Sequence, residues 1–303
     1  MRAHRVVRSL KRKETMTAWL YLLPCIALMS LVILYPTVYG VLLGFTDYSL
    51  GETTAPNFTA FQNYRTLFAE DEIFRKAVKN TLIWTAGVVS FQYAIGLIVA
   101  LLLNVQFTGR WAYRALILLP WVVPNIVSAY MWQWMYDPNY GVVTWILTGI
   151  GVLSSERSLL ASPNTALYAV MAIAVWRGVP FMTVMLLAGL QGIPRELYEV
   201  ANLDGANGFQ RFRFITFPML KNISIVCVLL MSIWMFNHFD IPYVLTRGGP
   251  RNASMLLVMY TYLRSMRHFN MGYAASIGVF MLAVLMVFAY FYLRVVNRQR
   301  GAE

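Results

Sequence analysis

Six long apolar runs, separated by short polar segments, constrain the fold of this chain more than any other feature. Each run has the roughly 20 residues that an α-helix needs to cross a hydrocarbon core of about 30 Å. The first run is also too long for the apolar region of a signal peptide. We therefore predict an all-α integral membrane protein with six transmembrane helices. The runs cover about residues 17–43, 80–103, 113–135, 166–190, 219–239 and 274–293.

Composition narrows the function classes. Apolar residues make up 59% of the chain and charged residues 13%, about half the charged share of a soluble domain. The net charge of +12 does not indicate nucleic acid, because the basic residues cluster at the ends of the apolar runs. The chain lacks a Gly-rich phosphate loop ending in Gly-Lys-Ser or Gly-Lys-Thr, and its three His residues are scattered. We expect a lipid bilayer as surroundings, no metal site, no catalytic residues and no ATPase activity of its own.

The distribution of Lys and Arg indicates the orientation. With a cytoplasmic N-terminus, the inside segments hold 15 Lys and Arg residues and the outside segments hold 9. An excess of basic residues marks the cytoplasmic side. We predict that both termini lie in the cytoplasm, with a basic arm at residues 1–16, a six-span domain at 17–295 and a tail at 296–303.

The polar segment at residues 195–218, RELYEVANLDGANGFQRFRFITFP, lies between the fourth and fifth runs. Apolar residues recur at helical spacing on both sides of Asp204-Gly205, and Gly tolerates the left-handed conformation that ends helices. Pro218 suits the first turn of a new helix. The segment is predicted to form two short cytoplasmic helices with a corner between them. The periodic positions are Leu197, Val200 and Ala201, then Phe209, Phe212 and Ile215.

This segment resembles the EAA loop of ABC importer permeases: Glu-Ala-Ala, three residues, Gly, nine residues, Ile, one residue, Leu-Pro. Val200 and Phe217 depart from the pattern but remain apolar. The resemblance implies a coupling loop that docks on a separate ATPase, with Glu199 facing a basic group and Gly205 setting the corner. An ordinary amphipathic loop helix is the alternative. The candidate coupling residues are Glu199, Val200, Ala201, Asp204, Gly205, Ile215 and Pro218.

Further motifs resemble carbohydrate-uptake permeases of the maltose and glycerol-phosphate type. They include WLYLLPCIALMSLVILYP, FQNYRTLF, GRWAYRALILLPWVVPN and TRGGP, and the similarity covers about residues 17–295. It implies half of a translocation pathway for a sugar or related polyol, in the cytoplasmic (inner) membrane of a bacterium or archaeon. The implied partners are a second, different permease, two copies of an ATPase that hold ATP and Mg, and an extracytoplasmic solute-binding protein. No cofactor is expected on this chain.

The alternative function is a secondary transporter or channel driven by an ion gradient. Such a protein would place an acidic residue inside a span for ion coupling and would often contain an internal repeat. The six apolar cores contain no Asp or Glu, and no repeat is visible. The sequence therefore favours the ATP-driven importer.

Three polar residues are candidates for the substrate path. Arg177 lies near the middle of the fourth run, where a charge is costly unless it faces a cavity or a partner. It either lines the path or reaches the membrane surface or the second permease. Asn237 and Asp240 lie with His238 at the end of the fifth run, where they either cap a helix at the interface or bind sugar hydroxyls.

Overall fold

The computed structural model describes residues 2–51, 56–152 and 158–300. Over these ranges the chain is helical, with two isolated β-bridges and no strand, so the predicted all-α class is confirmed there. Three π-helical turns interrupt the helices, at Ser30–Leu34, Phe212–Thr216 and Leu263–Arg267. The helices are α1 Arg2–Met29, α2 Tyr35–Leu43, α3 Gln62–Ala69, α4 Glu72–Asn104, α5 Arg110–Val122, α6 Asn125–Met135, α7 Val142–Gly149, α8 Ala166–Gln191, α9 Arg195–Leu203, α10 Gly208–Arg211, α11 Phe217–Phe236, α12 Asp240–Thr246, α13 Leu257–Tyr262 and α14 Met271–Arg300.

The chain forms two compact units, of which the smaller comprises residues 1–67 and 264–280. In this unit the loop after α2 is hydrogen-bonded to the segment that leads into α14. The Leu50 amide donates to the Phe269 carbonyl over 2.8 Å, and the Gly272 amide donates to the Tyr48 carbonyl over 2.9 Å. A Cβ at Gly272 would lie 2.1 Å from the Thr46 carbonyl oxygen, so this approach requires glycine.

The larger unit comprises residues 68–263 and 281–303 and is built around α4 and α8. Helix α11 packs against both of them, α5 packs against α8, and α6 packs against α12. A Cβ at Gly96 of α4 would lie 2.9 Å from the Met182 side chain, so the glycine lets the two helices approach closely. Trp84 is fully buried and its Nε1 donates to the Met235 carbonyl over 3.0 Å. The core of this unit is therefore a closely packed three-helix contact.

Five helical segments in the described part of the chain are long and apolar enough to cross a membrane, and the count rises to six if the bent pair α5 and α6 forms one span. This is the composition of a multi-pass membrane protein. The basic arm predicted at residues 1–16 is helical from Arg2 and continues into the first segment. Residues 301–303 of the predicted tail lie outside the described residues. The five segments are Met16–Leu43, Glu72–Asn104, Ala166–Gln191, Gly208–Phe236 and Met271–Arg294.

The predicted span at residues 113–135 consists of two helices rather than one continuous helix. Helices α5 and α6 meet at an angle of 94°. Val123, which precedes Pro124, has an extended backbone with ψ 129°, and Pro124 in turn precedes the first residue of α6. Proline disfavours a helical conformation in the residue before it and cannot donate a backbone hydrogen bond. The helix therefore breaks between the two elements.

Pro218 lies in the first turn of α11, as the sequence predicts, but α11 is not separated from the helical turns before it. The chain is helical without a break from Gly208 to Phe236. The π-helical turn carries it past the proline, with the Phe217 amide bonded to the Phe212 carbonyl. A widened turn of this kind removes the strict need for the i−4 bond that a proline cannot make. Helix α11 then ends at Phe236, three residues before the predicted boundary.

Candidate functional site

The segment between α8 and α11 turns sharply after α9. The Ala206 amide donates to the Ala201 carbonyl over 2.9 Å, and the Gly205 amide donates to the Asn202 carbonyl over 3.1 Å. Gly205 has φ +76°, in the left-handed region. This pair of bonds with a left-handed glycine is the Schellman arrangement that ends many helices. The chain therefore turns at Asp204-Gly205, where the sequence predicts the end of a helix.

Side chains hold the two arms of this corner together. Asn207 caps the N-terminus of α10 and exchanges hydrogen bonds with Gln210. Asn207 Oδ1 accepts from the Gln210 amide over 2.9 Å, and Gln210 Oε1 accepts from the Asn207 amide over 2.8 Å. Across the corner, the Arg211 guanidinium donates to Asn202 Oδ1. All these bonds form within residues 195–218, so the geometry of the corner is determined locally.

A second bond joins the far ends of the arms, where Tyr198 and Thr216 share a hydroxyl–hydroxyl contact of 3.0 Å. Thr216 is buried, although the segment around it is mostly exposed. It lies in the π-helical turn that leads into α11. This contact therefore connects α9 to the turn at the base of α11.

The same segment exposes large apolar side chains. Leu203 is 88% exposed, and three other apolar side chains are more than half exposed. Exposed apolar clusters of this kind mark surfaces that contact proteins or membranes. Leu203, Phe209 and Phe214 were not among the candidate coupling residues, although an apolar residue in a polar segment is a visible signal. We call this group the exposed apolar set: Val200, Leu203, Phe209 and Phe214.

The remaining candidate coupling residues occupy different environments in this segment. Glu199, Asp204 and Pro218 are exposed, and Ala201 and Ile215 are partly buried. A partner approaching the corner could therefore contact the Glu199 carboxylate directly. Ile215 belongs to the π-helical turn.

The break between α5 and α6 is held by Arg177 of α8. Its Nε donates to the Val123 carbonyl over 3.2 Å, and its Nη2 donates to the same oxygen over 3.1 Å and to the Trp121 carbonyl over 3.5 Å. The last carbonyls of a helix have no partner within the helix. Arg177 supplies donors for them, and the negative end of the helix offsets its charge.

Two further polar side chains meet on the other side of the break. Asn125, the first residue of α6, donates from Nδ2 to Asp240 Oδ2 over 2.7 Å. Asp240 is the first residue of α12 and also attracts Arg177 electrostatically. We call Arg177, Asn125 and Asp240 the break cluster. Asn125 was missed from the sequence, although a polar residue after Pro124 in an apolar run could have indicated it.

Asn237 does not join the break cluster. It follows the last residue of α11, is exposed, and donates from Nδ2 to the Ile233 carbonyl over 3.0 Å. This bond satisfies one of the carbonyls that lack a partner at the end of the helix. This contact supports the interfacial helix-capping role that the sequence suggests for Asn237.

The end of α6 is fixed to α8 by a separate bond. The Tyr136 hydroxyl donates to the Ala169 carbonyl over 3.0 Å, and burial raises the pKa of Tyr136 to about 12. The phenol therefore stays protonated at physiological pH and remains a donor. In the described residues no group of three or more His, Cys, Asp or Glu side chains is arranged to hold a metal ion.

The family described as "Binding-protein-dependent transport system inner membrane component" matches residues 92–301. The chain belongs to this family. It is the permease subunit of an ABC importer and a multi-pass inner-membrane protein, and its relatives are permeases rather than ATPases. Family membership decides against the alternative of a transporter driven by an ion gradient.

Several relatives are similar over most of their length. The trehalose/maltose transport system permease protein MalF of Thermococcus litoralis is 39% identical over 81% of this chain and 82% of that protein. The sulfoquinovosyl glycerol transport system permease protein SmoG of Agrobacterium fabrum is 36% identical over 82% of this chain and 80% of that protein.

Solved structures show the same fold. A bacterial ABC transporter involved in the import of the acidic polysaccharide alginate has a chain that matches 97% of this protein and 99% of its own length, with a TM-score of 0.78 at 23% identity. A chain of the MetNI methionine ABC transporter in an inward-facing conformation matches 75% of this protein and 95% of its own length, with a TM-score of 0.53 at 18% identity.

Proposed function

We propose that this permease carries a sugar or a related polyol and forms half of the translocation pathway, the other half coming from a second, different permease. The relatives named for trehalose and maltose and for sulfoquinovosyl glycerol, at 39% and 36% identity, support a carbohydrate as cargo. The break cluster supports a polar path, because its side chains Arg177, Asn125 and Asp240 place polar and charged groups at the break between α5 and α6.

The corner at residues 195–218 is the surface through which a separate ATPase drives the pathway. The observation that carries this proposal is that Leu203, 88% exposed, is the last residue of α9 and lies directly before the turn at Asp204-Gly205. A preorganised apolar surface binds a cleft with little loss of conformational freedom. Glu199 supplies the carboxylate for a basic group of the ATPase. The motion of the ATPase reaches α11 through the contact between Tyr198 and Thr216.

The complete importer follows from this assignment. Two copies of the ATPase hold ATP and Mg in the cytoplasm, so this chain binds no cofactor. An extracytoplasmic solute-binding protein delivers the sugar. ATP drives transport by stabilising one of two pathway conformations more than the other, which requires coupling residues that contact the ATPase differently in the two states.

The membrane arrangement is part of the same proposal. Six spans lie within residues 17–295, with α5 and α6 as one broken span. The arm at residues 1–16, the coupling segment at 195–218 and the tail at 296–303 face the cytoplasm. The excess of Lys and Arg in these segments supports this orientation.

Co-purification of an ATPase tests the proposal. The permease is purified in detergent as wild type, as Leu203→Asp and as the control Trp145→Asp, which changes a side chain that is 76% exposed on α7. Loss of one buried leucine weakens binding roughly 10- to 100-fold, so we expect Leu203→Asp to lose the ATPase and Trp145→Asp to keep it. A wild-type permease that brings down no ATP-hydrolysing subunit would contradict the proposal.

A further inference from the structure

An apolar groove of about 860 Å³ lies in the larger unit between α4, α5 and α8. Its volume is within the range of roughly 300–1,000 Å³ that is usual for ligand sites. Helices α4 and α8 are long and apolar enough to cross a membrane, and α5 belongs to the bent pair, so the groove lies where hydrocarbon surrounds the protein. Its wall includes Phe91 and Ile95 of α4, Leu116 and Pro120 of α5, and Ala172 and Trp176 of α8.

Two arginines of α5 lie at one end of this groove. Arg110 and Arg114 are one helical turn apart, and the neighbouring positions Tyr113 and Ile117 line the groove. Nη2 of Arg114 donates to the Leu103 carbonyl near the end of α4 over 3.3 Å, and its Nε is buried without a hydrogen-bond partner. Buried polar atoms in folded proteins almost always have a partner, so the exception needs an explanation.

The positive charge of these arginines is not balanced within the helices around the groove. Glu72, the first residue of α4, is the single acidic residue in the sequences of α4, α5 and α8. It lies at the opposite end of α4 from Leu103, about 45 Å away at a rise of 1.5 Å per residue. This end of the groove therefore attracts an anionic group.

Aromatic side chains place the same end of the groove at the level of the lipid headgroups. Trp111 is 78% exposed, and Tyr113 is more than half exposed and packs edge-on against Phe107 with centroids 5.6 Å apart. Exposed Trp and Tyr are typical of the interface between membrane and water, where one part of the ring is in contact with lipid and another with water. An occupant of the groove thus needs an anionic head at the interface and an apolar body.

We propose that the groove binds an anionic phospholipid, with one acyl chain along the apolar wall and the phosphate on Arg110 and Arg114. A bilayer supplies this chemistry directly, and basic pockets between spans on the cytoplasmic side often bind anionic headgroups. A helix of the second permease is the competing occupant. If that helix carried no acidic residue, it would cover Arg114 without a counter-charge, which is costly. Only the assignment to the cytoplasmic leaflet rests on the proposed orientation, and the site itself does not depend on the cargo.

Cryo-electron microscopy tests the proposal on the importer purified through this permease, in nanodiscs of phosphatidylglycerol and phosphatidylcholine. We expect a rod of acyl-chain density between α4, α5 and α8, continuous with a headgroup within hydrogen-bond distance of Arg110 or Arg114. An empty groove would overturn the proposal. So would a groove covered by a helix of another subunit, or a chain whose headgroup lies away from both arginines.

Lipid selectivity tests the role of the charges. Native mass spectrometry measures the ratio of phosphatidylglycerol to phosphatidylcholine that remains on the importer. Arg110→Gln combined with Arg114→Gln should lower this ratio roughly 10- to 30-fold, because each basic residue near an anionic headgroup contributes to its binding. The control combines Lys221→Gln with Arg294→Gln, which removes two exposed charges that are not next to the groove. Equal losses in the two double variants would contradict a site at the groove.

A second pair of variants tests the apolar wall. Ala172→Phe fills part of the groove at an exposed position of α8 and should remove the bound phospholipid, whereas Ala283→Phe, at an exposed position of α14 outside the lining, should retain it. Retention of phosphatidylglycerol by both variants would count against the groove. If Ala172→Phe does not fold, the wild-type map still decides. Neither readout depends on transport, so failure of sugar import would contradict the proposed function and leave the lipid site to be judged by itself.

Discussion

The chain contains two sharp corners between helices, and they are built in opposite ways. At residues 204–207 every stabilising bond comes from within the segment 195–218, and the apolar side chains around it face outward. At residues 122–125 the stabilising side chains are Arg177, 54 positions from its acceptor, and Asp240, 115 positions from Asn125. We therefore expect the first corner to move as one piece, and the second to change shape when α8 or α12 moves.

This contrast assigns a mechanical role to each corner. A segment that is braced internally can pass on a displacement without absorbing it, as the contact between an ATPase and a bundle requires. A break held by other helices can respond to that displacement, because its hydrogen bonds depend on their relative positions. Breaks of this kind within membrane spans often line substrate paths. The following predictions test whether the two corners differ in this way.

The largest effect is expected for Arg177→Leu. The change leaves the Val123 and Trp121 carbonyls without their donor, and we expect a loss of about 3 kcal/mol in the free energy of unfolding. Chemical unfolding in detergent measures it. Arg65→Leu, at an exposed position of α3, is the control and should change stability by less than about 0.5 kcal/mol. Equal effects of the two variants would show that the break does not depend on Arg177.

The next largest effect is expected for Asp240→Ala. It removes the acceptor for Asn125 Nδ2, and we expect a loss of about 2 kcal/mol because the amide is left without a partner. A double-mutant cycle with Asn125→Ala isolates the pair. Additive losses from the two single changes would mean that this hydrogen bond does not stabilise the break.

A smaller effect is expected for Gly205→Ala. Gly205 has φ +76° and open space where a Cβ would be, so the cost is purely conformational, about 1 kcal/mol. Gly149→Ala is the matched control, since Gly149 also has open space, but its φ lies outside the left-handed region. Thermal unfolding compares the two variants. If Gly149→Ala destabilised the protein as much as Gly205→Ala, the left-handed conformation of Gly205 would not explain the loss.

The smallest effect is expected for Asn207→Ala. It removes the cap of α10, and we expect a loss of about 0.5 kcal/mol because the site is exposed. Asn207→Ser retains a capping oxygen and should recover most of that loss. The measurement is the same thermal unfolding. A loss as large as that of Arg177→Leu would erase the distinction between the local corner and the long-range one.

The same distinction explains what the sequence could predict. The corner at Gly205 is readable because glycine and the flanking apolar spacing act over a few residues. Arg177 is recognisable as an unusual charge at mid-membrane, but its acceptors belong to another helix, so both interpretations stayed open. The break at Pro124 was missed because the apolar run continues through it, and hydropathy averages over a bend.

Other misses have the same physical origin. The π-helical turn before Pro218 depends on backbone bonds that no residue type specifies. Phe91, Tyr113 and Trp176 lie on three different helices, and only the packing of α4 and α5 against α8 brings them to one groove. Local conformation is encoded locally, whereas a site assembled across helices requires the fold.

The most direct test of the account is a site-specific cross-link between the coupling corner and the ATPase. Leu203→Cys is introduced after Cys25 and Cys227 are replaced by Ser, and Trp145→Cys in the same background is the control. A bifunctional thiol reagent is applied to membranes that contain the assembled importer. The account predicts a covalent product with the ATPase for Leu203→Cys, in an amount that changes when ATP is added, and none for Trp145→Cys. A product from Trp145→Cys, or none from Leu203→Cys in a complex that still contains the ATPase, would contradict it.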